Sequence, residues 1–168
     1  GTNFRQSEIV SVIVVPYVAL AKDLERRLQN IYKDKTYDPN QLPNFAYTHD
    51  MSTSRLESLL DRIERAEDDI PGILITSPES LVGRFKNSIE SYARDGRLGA
   101  IIVDEAHLLY QSGIDFRLSF RDVPRLRDRA CIESPAGLRP RTLLMSATIG
   151  EGLIFNMRTQ VFDHVQQQ

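Results

Sequence analysis

The sequence predicts an α/β domain, a mostly parallel sheet with helices on both faces. Three observations carry that expectation. Short β-branched runs alternate with stretches of helical periodicity along the 168 residues. The runs are apolar almost throughout, as strands buried on both faces are. One of them, Ile101-Ile102-Val103, ends directly in two carboxylates, Asp104 and Glu105. Ligands of open α/β sheets bind at the carboxyl ends of the strands, so this junction is where acid groups would be delivered.

Taken in order, residues 9–15 form the first strand, and Pro16 ends it. Leu20, Leu24, Leu28 and Ile31 recur at helical spacing and predict an amphipathic helix of roughly four turns. Asp34–Pro43 is polar and turn-rich, and Asn44–His49 is a weaker strand. Ser54 and Glu57 make a capping-box pair ahead of a second helix, whose apolar face is Leu56, Leu59, Leu60 and Ile63. Pro71-Gly72 breaks it, and Ile73-Leu74-Ile75 is a short buried strand. Ser77-Pro78-Glu79 then has the order of a helix start: cap, proline, and acid against the dipole. Leu81, Val82, Phe85 and Ile89 would be the buried stripe of that helix. After the Asp-Glu strand, a short helix is expected near Ser119–Arg129, then a loop. Thr142–Met145 is the last strand, and Gly152–Arg158 begins a further helix.

Composition narrows the function classes. A chain of this length forms one well-cored domain. Its single cysteine, Cys131, excludes an intrachain disulfide and a Cys-rich zinc site. No apolar run approaches the roughly 20 residues that span a bilayer, and no charged-then-apolar leader opens the sequence, so no membrane partner is expected. Lys and Arg number 21 against 23 Asp and Glu, a balance that argues neither for nor against nucleic acid. Seven arginines fall within residues 117–141. A run of that kind is either a solvated face or a basic patch.

Adjacent carboxylates at a strand end suit a magnesium nucleotide. One holds the hydrated cation, and the next can take a proton from the attacking water. No Gly-Lys-Ser or Gly-Lys-Thr occurs anywhere in the sequence, so the loop that would cradle the phosphates is not among these residues.

Asp104-Glu105-Ala106-His107 resembles motif II of superfamily-two helicases, in its DEAH form. Ser146-Ala147-Thr148, after an apolar run about forty residues on, resembles motif III. Residues 16–23, beginning Pro16-Tyr17, resemble motif Ia, and Ser77-Pro78-Glu79-Ser80-Leu81 resembles motif Ib. Within the stretch from His107 to Arg117, Gln111, Gly113, Asp115, Phe116 and Arg117 match the aromatic-rich loop of RecQ-type DNA helicases. Ser112 stands where that family has tryptophan, with Tyr110 two positions away.

The resemblance implies that residues 1–168 are part of the first RecA-like domain of a RecQ-like, ATP-dependent DNA helicase acting in DNA repair. The chain would begin just upstream of motif Ia, without its Walker A loop. ATP and Mg2+ would be the cofactors. DNA, single-stranded or at a duplex junction, would be the partner, together with a second RecA-like domain supplying an arginine finger. The location implied is the cytoplasm (nucleoid) of a bacterium or archaeon, or a eukaryotic nucleus. Alternatives are a DEAH-type RNA helicase, a translocase of a DNA-defence system, or a helicase-like scaffold that binds nucleic acid without catalysis.

By the same resemblance, Asp104 binds magnesium through water, Glu105 activates the hydrolytic water, and His107 senses the nucleotide. Ser146, Thr148 and Gln111 would carry the coupling. Pro16, Tyr17, Ser77, Pro78, Glu79, Tyr110, Phe116 and Arg117 would meet nucleic acid. Each has a plainer reading. Adjacent acids are commonly an exposed turn, Ser77 a helix cap, and Phe116 a core side chain. Finally, loss of the strand that carries Walker A would leave a bare backbone edge beside the Ser-Ala-Thr strand, which invites association.

Overall fold

In the computed structural model, the described residues are 9–33, 45–48, 51–52, 54, 57–58, 72–109 and 118–148. The runs read as strands form strands, the first of them rich in β-branched residues. These are β1 (Val10–Val14), β2 (Ala46–Tyr47), β3 (Ile73–Thr76), β4 (Leu98–Val103) and β5 (Arg141–Leu144). They lie in one sheet in the order β2-β3-β1-β4-β5, and every pairing is parallel. The fold class the sequence predicts is the one observed.

Alternation along the strands divides the core in two. Val10, Val12 and Val14 of β1, with Leu98, Ile101 and Val103 of β4, point to one face. There they meet the helices α2 (Pro78–Val82), α3 (Lys86–Arg94) and α4 (Leu118–Glu133), through Leu81, Phe85, Ile89, Phe120, Val123 and Leu126. On the other face, Val15, Phe45, Ala46 and Ile75 pack with Leu20, Leu24 and Leu28 of α1 (Val18–Lys33). Among the described residues, that second core reaches only the β2-β3-β1 side of the sheet. Over β5 the same face is open, with Leu143 51% and Met145 39% exposed.

Four expectations need correcting. The strand read at Asn44–His49 is only two residues long. The helix expected from Ser77 through Ile89 is two helices. The break is at Gly83, where a Cβ would stand 2.8 Å from the Glu79 carbonyl oxygen. Conversely, Pro124 does not shorten its helix, and α4 runs sixteen residues through it. The buried side chains of Phe120, Val123, Leu126 and Ala130 hold α4 on the sheet and outweigh the one hydrogen bond a proline removes. Arg127, read with the arginine run, is only 6% exposed; its Nε donates to Thr142 Oγ1 at 2.8 Å and its Nη1 to Asp128 at 2.8 Å. It anchors α4 to β5 and belongs to no surface patch.

Of the predicted second helix, Ser54, Glu57 and Ser58 are helical. Its apolar face, Leu56, Leu59, Leu60 and Ile63, and the helix expected from Gly152 lie outside the described residues. Among the described residues, no helix is long and apolar enough to cross a membrane.

Candidate active site

The carboxyl ends of β1, β4 and β5 converge on one short segment. The Asp104 N–H donates to the Val14 carbonyl at 2.9 Å, and the Met145 N–H to the Val103 carbonyl at 2.9 Å. The chain then turns back, so that the Ala106 N–H donates to the Met145 carbonyl at 2.8 Å. Residues 104–106 are thus laced to both neighbouring strands by backbone alone, and a 3-10 turn, Ala106–Leu109, follows.

Within this lacing Glu105 takes a left-handed backbone, φ 50°. A residue with a Cβ pays about 1 kcal/mol for that conformation. The Asp104 carboxylate helps hold it, since Asp104 Oδ1 accepts the Glu105 N–H at 2.9 Å. The turn sends the two acids apart: Asp104 stays half-buried at the strand end, and the Glu105 side chain swings toward His107.

His107 joins the two loops. Its Nδ1 lies 2.8 Å from Ser146 Oγ and 3.2 Å from Glu105 Oε2. An ionised carboxylate only accepts, so the proton belongs on Nδ1, shared between the two oxygens. Ser146 Oγ also accepts the Thr148 N–H at 3.3 Å. Asp104, Glu105, His107, Ser146 and Thr148, chosen from sequence, therefore stand together at one end of the sheet. Met145 was missed. Its contribution is a backbone carbonyl, which leaves no mark in residue type.

The other predicted residues fall into three groups. Pro16, Ser77 and Pro78 are buried, and Ser77 Oγ caps α2 by accepting the Ser80 N–H at 3.3 Å. Any ligand contact there would run through backbone. Tyr17 is 56% exposed and Glu79 half-buried. Tyr110, Gln111, Phe116 and Arg117 lie outside the described residues, so the aromatic-rich loop is not placed. Among the described residues, no group of three or more His, Cys, Asp or Glu side chains could hold a metal ion. A cation at Asp104 must bring most of its ligands with it, as a hydrated Mg2+ on a nucleotide does.

An all-parallel five-stranded sheet with these loops at its carboxyl end is the fold of a RecA-like helicase domain. A family model described as DEAD/DEAH box helicase matches residues 2–153, and the chain belongs to that family. In sequence it is 39% identical over 67 residues to the ATP-dependent DNA helicase Q-like 2 of Arabidopsis thaliana, a match covering 39% of this chain and 9% of that protein. In structure it is similar to the DUF1998 helicase MrfA bound to DNA and AMPPNP, with a TM-score of 0.60, 20% identity, and coverage of 87% of this chain and 18% of that one. It is also similar to Mss116p bound to ssRNA and AMP-PNP, with a TM-score of 0.64, 22% identity, and coverage of 94% and 28%. Yeast Prp28, a DEAD-box splicing factor, gives a TM-score of 0.57 at 16% identity, covering 91% and 30%. The chain spans less than a third of the length of each of these proteins.

Proposed function

We propose that this chain contributes the metal- and water-activating half of the ATP site of a RecQ-like DNA helicase, and links that site to strand movement through His107 and Ser146. The single observation that carries the reading is the 2.8 Å contact between His107 Nδ1 and Ser146 Oγ. It ties the loop that would meet the nucleotide to the loop after β5.

The residues fit a magnesium nucleotide, because one oriented, half-buried carboxylate is what a largely hydrated Mg2+ requires. Bound Mg2+–ATP supplies the phosphoanhydride and the charge neutralisation. Asp104 would hold the cation through water. Glu105 would accept the proton of the attacking water at the carboxylate that now faces His107, so its release from Nδ1 accompanies engagement with substrate. His107 then turns its Nδ1 proton wholly to Ser146, and the Ser-Ala-Thr loop registers the change. A second RecA-like domain would provide the arginine that completes the site.

DNA is favoured over RNA by the match to a plant DNA helicase and by the resemblance of residues 107–117 to the RecQ loop. The RNA-bound structural relative keeps the RNA reading as the alternative. The test is unwinding of matched DNA and RNA duplexes by the full-length protein. DNA unwinding lost in Glu105→Gln is the expected result; RNA-only unwinding overturns the DNA assignment. The 168-residue chain alone, with no Gly-Lys-Ser/Thr in it, is expected to show no steady ATP turnover. Turnover abolished by Glu105→Gln would refute that expectation.

A further inference from the structure

We propose that Arg127 is a positioning residue for the contact between His107 and Ser146, holding β5 to the helix on which both loops rest. Its part in strand movement rests on the helicase reading above; its mechanical part does not.

Arg127 stands on the face of α4 where an apolar side chain would be expected. Val123, Leu126 and Ala130 on that face are buried in the core, and Arg127 is as deeply buried beside them. A guanidinium loses its hydration there, and replacing a buried ion pair by well-packed apolar side chains is often neutral or stabilising. Stability alone therefore gives no reason for the arginine. Its counter-charge comes from its own helix, since Nη1 donates to Asp128 Oδ1 at 2.8 Å. Nε crosses instead to the sheet and donates to Thr142 Oγ1 at 2.8 Å. What that second bond adds is position. Apolar contacts hold a helix on a sheet without direction. A hydrogen bond weakens steeply once it is bent, so it also fixes α4 along β5.

Both partners of the His107–Ser146 contact rest on this one helix. On the sheet side, Thr142 pairs with Ile101 of β4, and the chain runs on through Met145 to Ser146. Extended backbone scarcely compresses, so a shift at Thr142 is carried to Ser146, up to about 13 Å away. On the other side, His107 belongs to the 3-10 turn Ala106–Leu109. Ala106, Leu108 and Leu109 of that turn share a buried cluster with Phe120 and Val123 of α4, and the turn and the helix touch. Phe120 and Arg127 are about 10 Å apart along the helix axis. One continuous helix thus meets the His107 turn near its start and the strand leading to Ser146 in its middle. Releasing the Arg127–Thr142 bond lets β5 move against the turn. The 2.8 Å contact between His107 and Ser146 has little slack and opens first.

The experiment uses the full-length protein and reads two quantities. One is duplex unwound per ATP hydrolysed. The other is the Nδ1 resonance of His107 in protein with isotope-labelled histidine, assigned by its loss in His107→Asn. Arg127→Met keeps much of the side-chain bulk and removes the bond. Unwinding per ATP should fall about tenfold, the weight of one hydrogen bond of this kind, with the KM for ATP unchanged. The His107 resonance should move toward that of a ring open to water. Thr142→Val should have the same two effects, and Thr142→Ser, which keeps the hydroxyl, should behave as the parent. Arg127→Met with Thr142→Val should be no worse than either alone, because both remove one bond. A general loss of fold lowers hydrolysis and unwinding together and leaves their ratio alone. An unchanged ratio where the parent unwinds, an unchanged His107 resonance, or additive effects of the two substitutions each overturn the proposal. Should Arg127→Met fail to fold, Thr142→Val decides by itself. A parent that neither hydrolyses ATP nor unwinds a duplex defeats the helicase reading, and the His107 resonance then decides whether Arg127 holds the contact.

Discussion

The two edges of this sheet are built on opposite plans. At β2, Glu25 reaches from α1 to accept the N–H groups of Phe45 and Ala46 at 2.9 and 3.0 Å, and Phe45 is wholly buried. A carboxylate on these backbone donors occupies them, so a further strand could not use those two N–H groups, and among the described strands the sheet ends there. At β5 no side chain performs that task among the described residues. The open face instead presents Leu143 and Met145 beside the acidic loop. Among the described residues, the β2 edge is capped and remote from the site, and the β5 edge is uncapped and adjoins it. The two candidate loops therefore sit beside the uncapped edge of the described strands.

The largest test of that contrast compares one side chain from each edge. Phe45→Ala removes a fully buried ring from the core under α1, and should cost about 3–5 kcal/mol. Leu143→Ala, on a half-exposed side chain, should stay within about 0.5 kcal/mol for the monomer. Denaturant titration of both variants checks it. Equal losses would mean that the β5 face is covered in solution and the contrast is false.

Closing an edge with a carboxylate makes a second, smaller prediction. Glu25→Ala strips the acceptor from two backbone donors and should cost about 2 kcal/mol. Glu25→Gln keeps one acceptor oxygen and should cost roughly half of that. Hydrogen exchange at Phe45 and Ala46 should accelerate in both variants, more in the alanine. Unchanged exchange would show that the N–H groups owe their protection to something other than Glu25.

Much of this was legible in the chain itself. Short apolar runs announced buried parallel strands, and the order of polar residues after them placed Asp104, Glu105, His107, Ser146 and Thr148 at one end of the sheet. What stayed hidden depends on partners distant in sequence. Glu25 reads as one more exposed helix acid until β2, twenty residues on, comes to lie against it. Arg127 looked like its neighbours in an arginine run, and only the packing of α4 on β5 turns it inward to Thr142. Gly83 gave no warning of a helix break, because its φ of −98° is open to any residue and the obstacle is a carbonyl oxygen in the preceding turn. The left-handed turn at Glu105 is likewise imposed by backbone bonds to β1 and β5.

The smallest effect is expected inside the well-covered half, where closure is imperfect at one atom. Tyr92 of α3 is 2% exposed, and its hydroxyl has no hydrogen-bond partner among the described residues. Burial pushes its phenol from the ordinary value of 10.0 up to about 12, although the Arg97 guanidinium, 5.1 Å from the ring, pulls the other way. The folded protein thus keeps a proton that the unfolded chain releases between pH 10 and about 12. In that window the unfolded state binds fewer protons, so stability falls as pH rises, by at most about 1.4 kcal/mol per pH unit. Tyr92→Phe deletes both the orphaned hydroxyl and its titration. Near pH 7 it should be neutral or stabilising by less than about 1 kcal/mol, since a buried polar group without a partner is being replaced by ring edge. Above pH 10 it should lose stability more slowly than the parent, with the other tyrosines common to both. Coincident alkaline slopes would place the Tyr92 hydroxyl in contact with water, and the covered face would then be less sealed than its packing indicates.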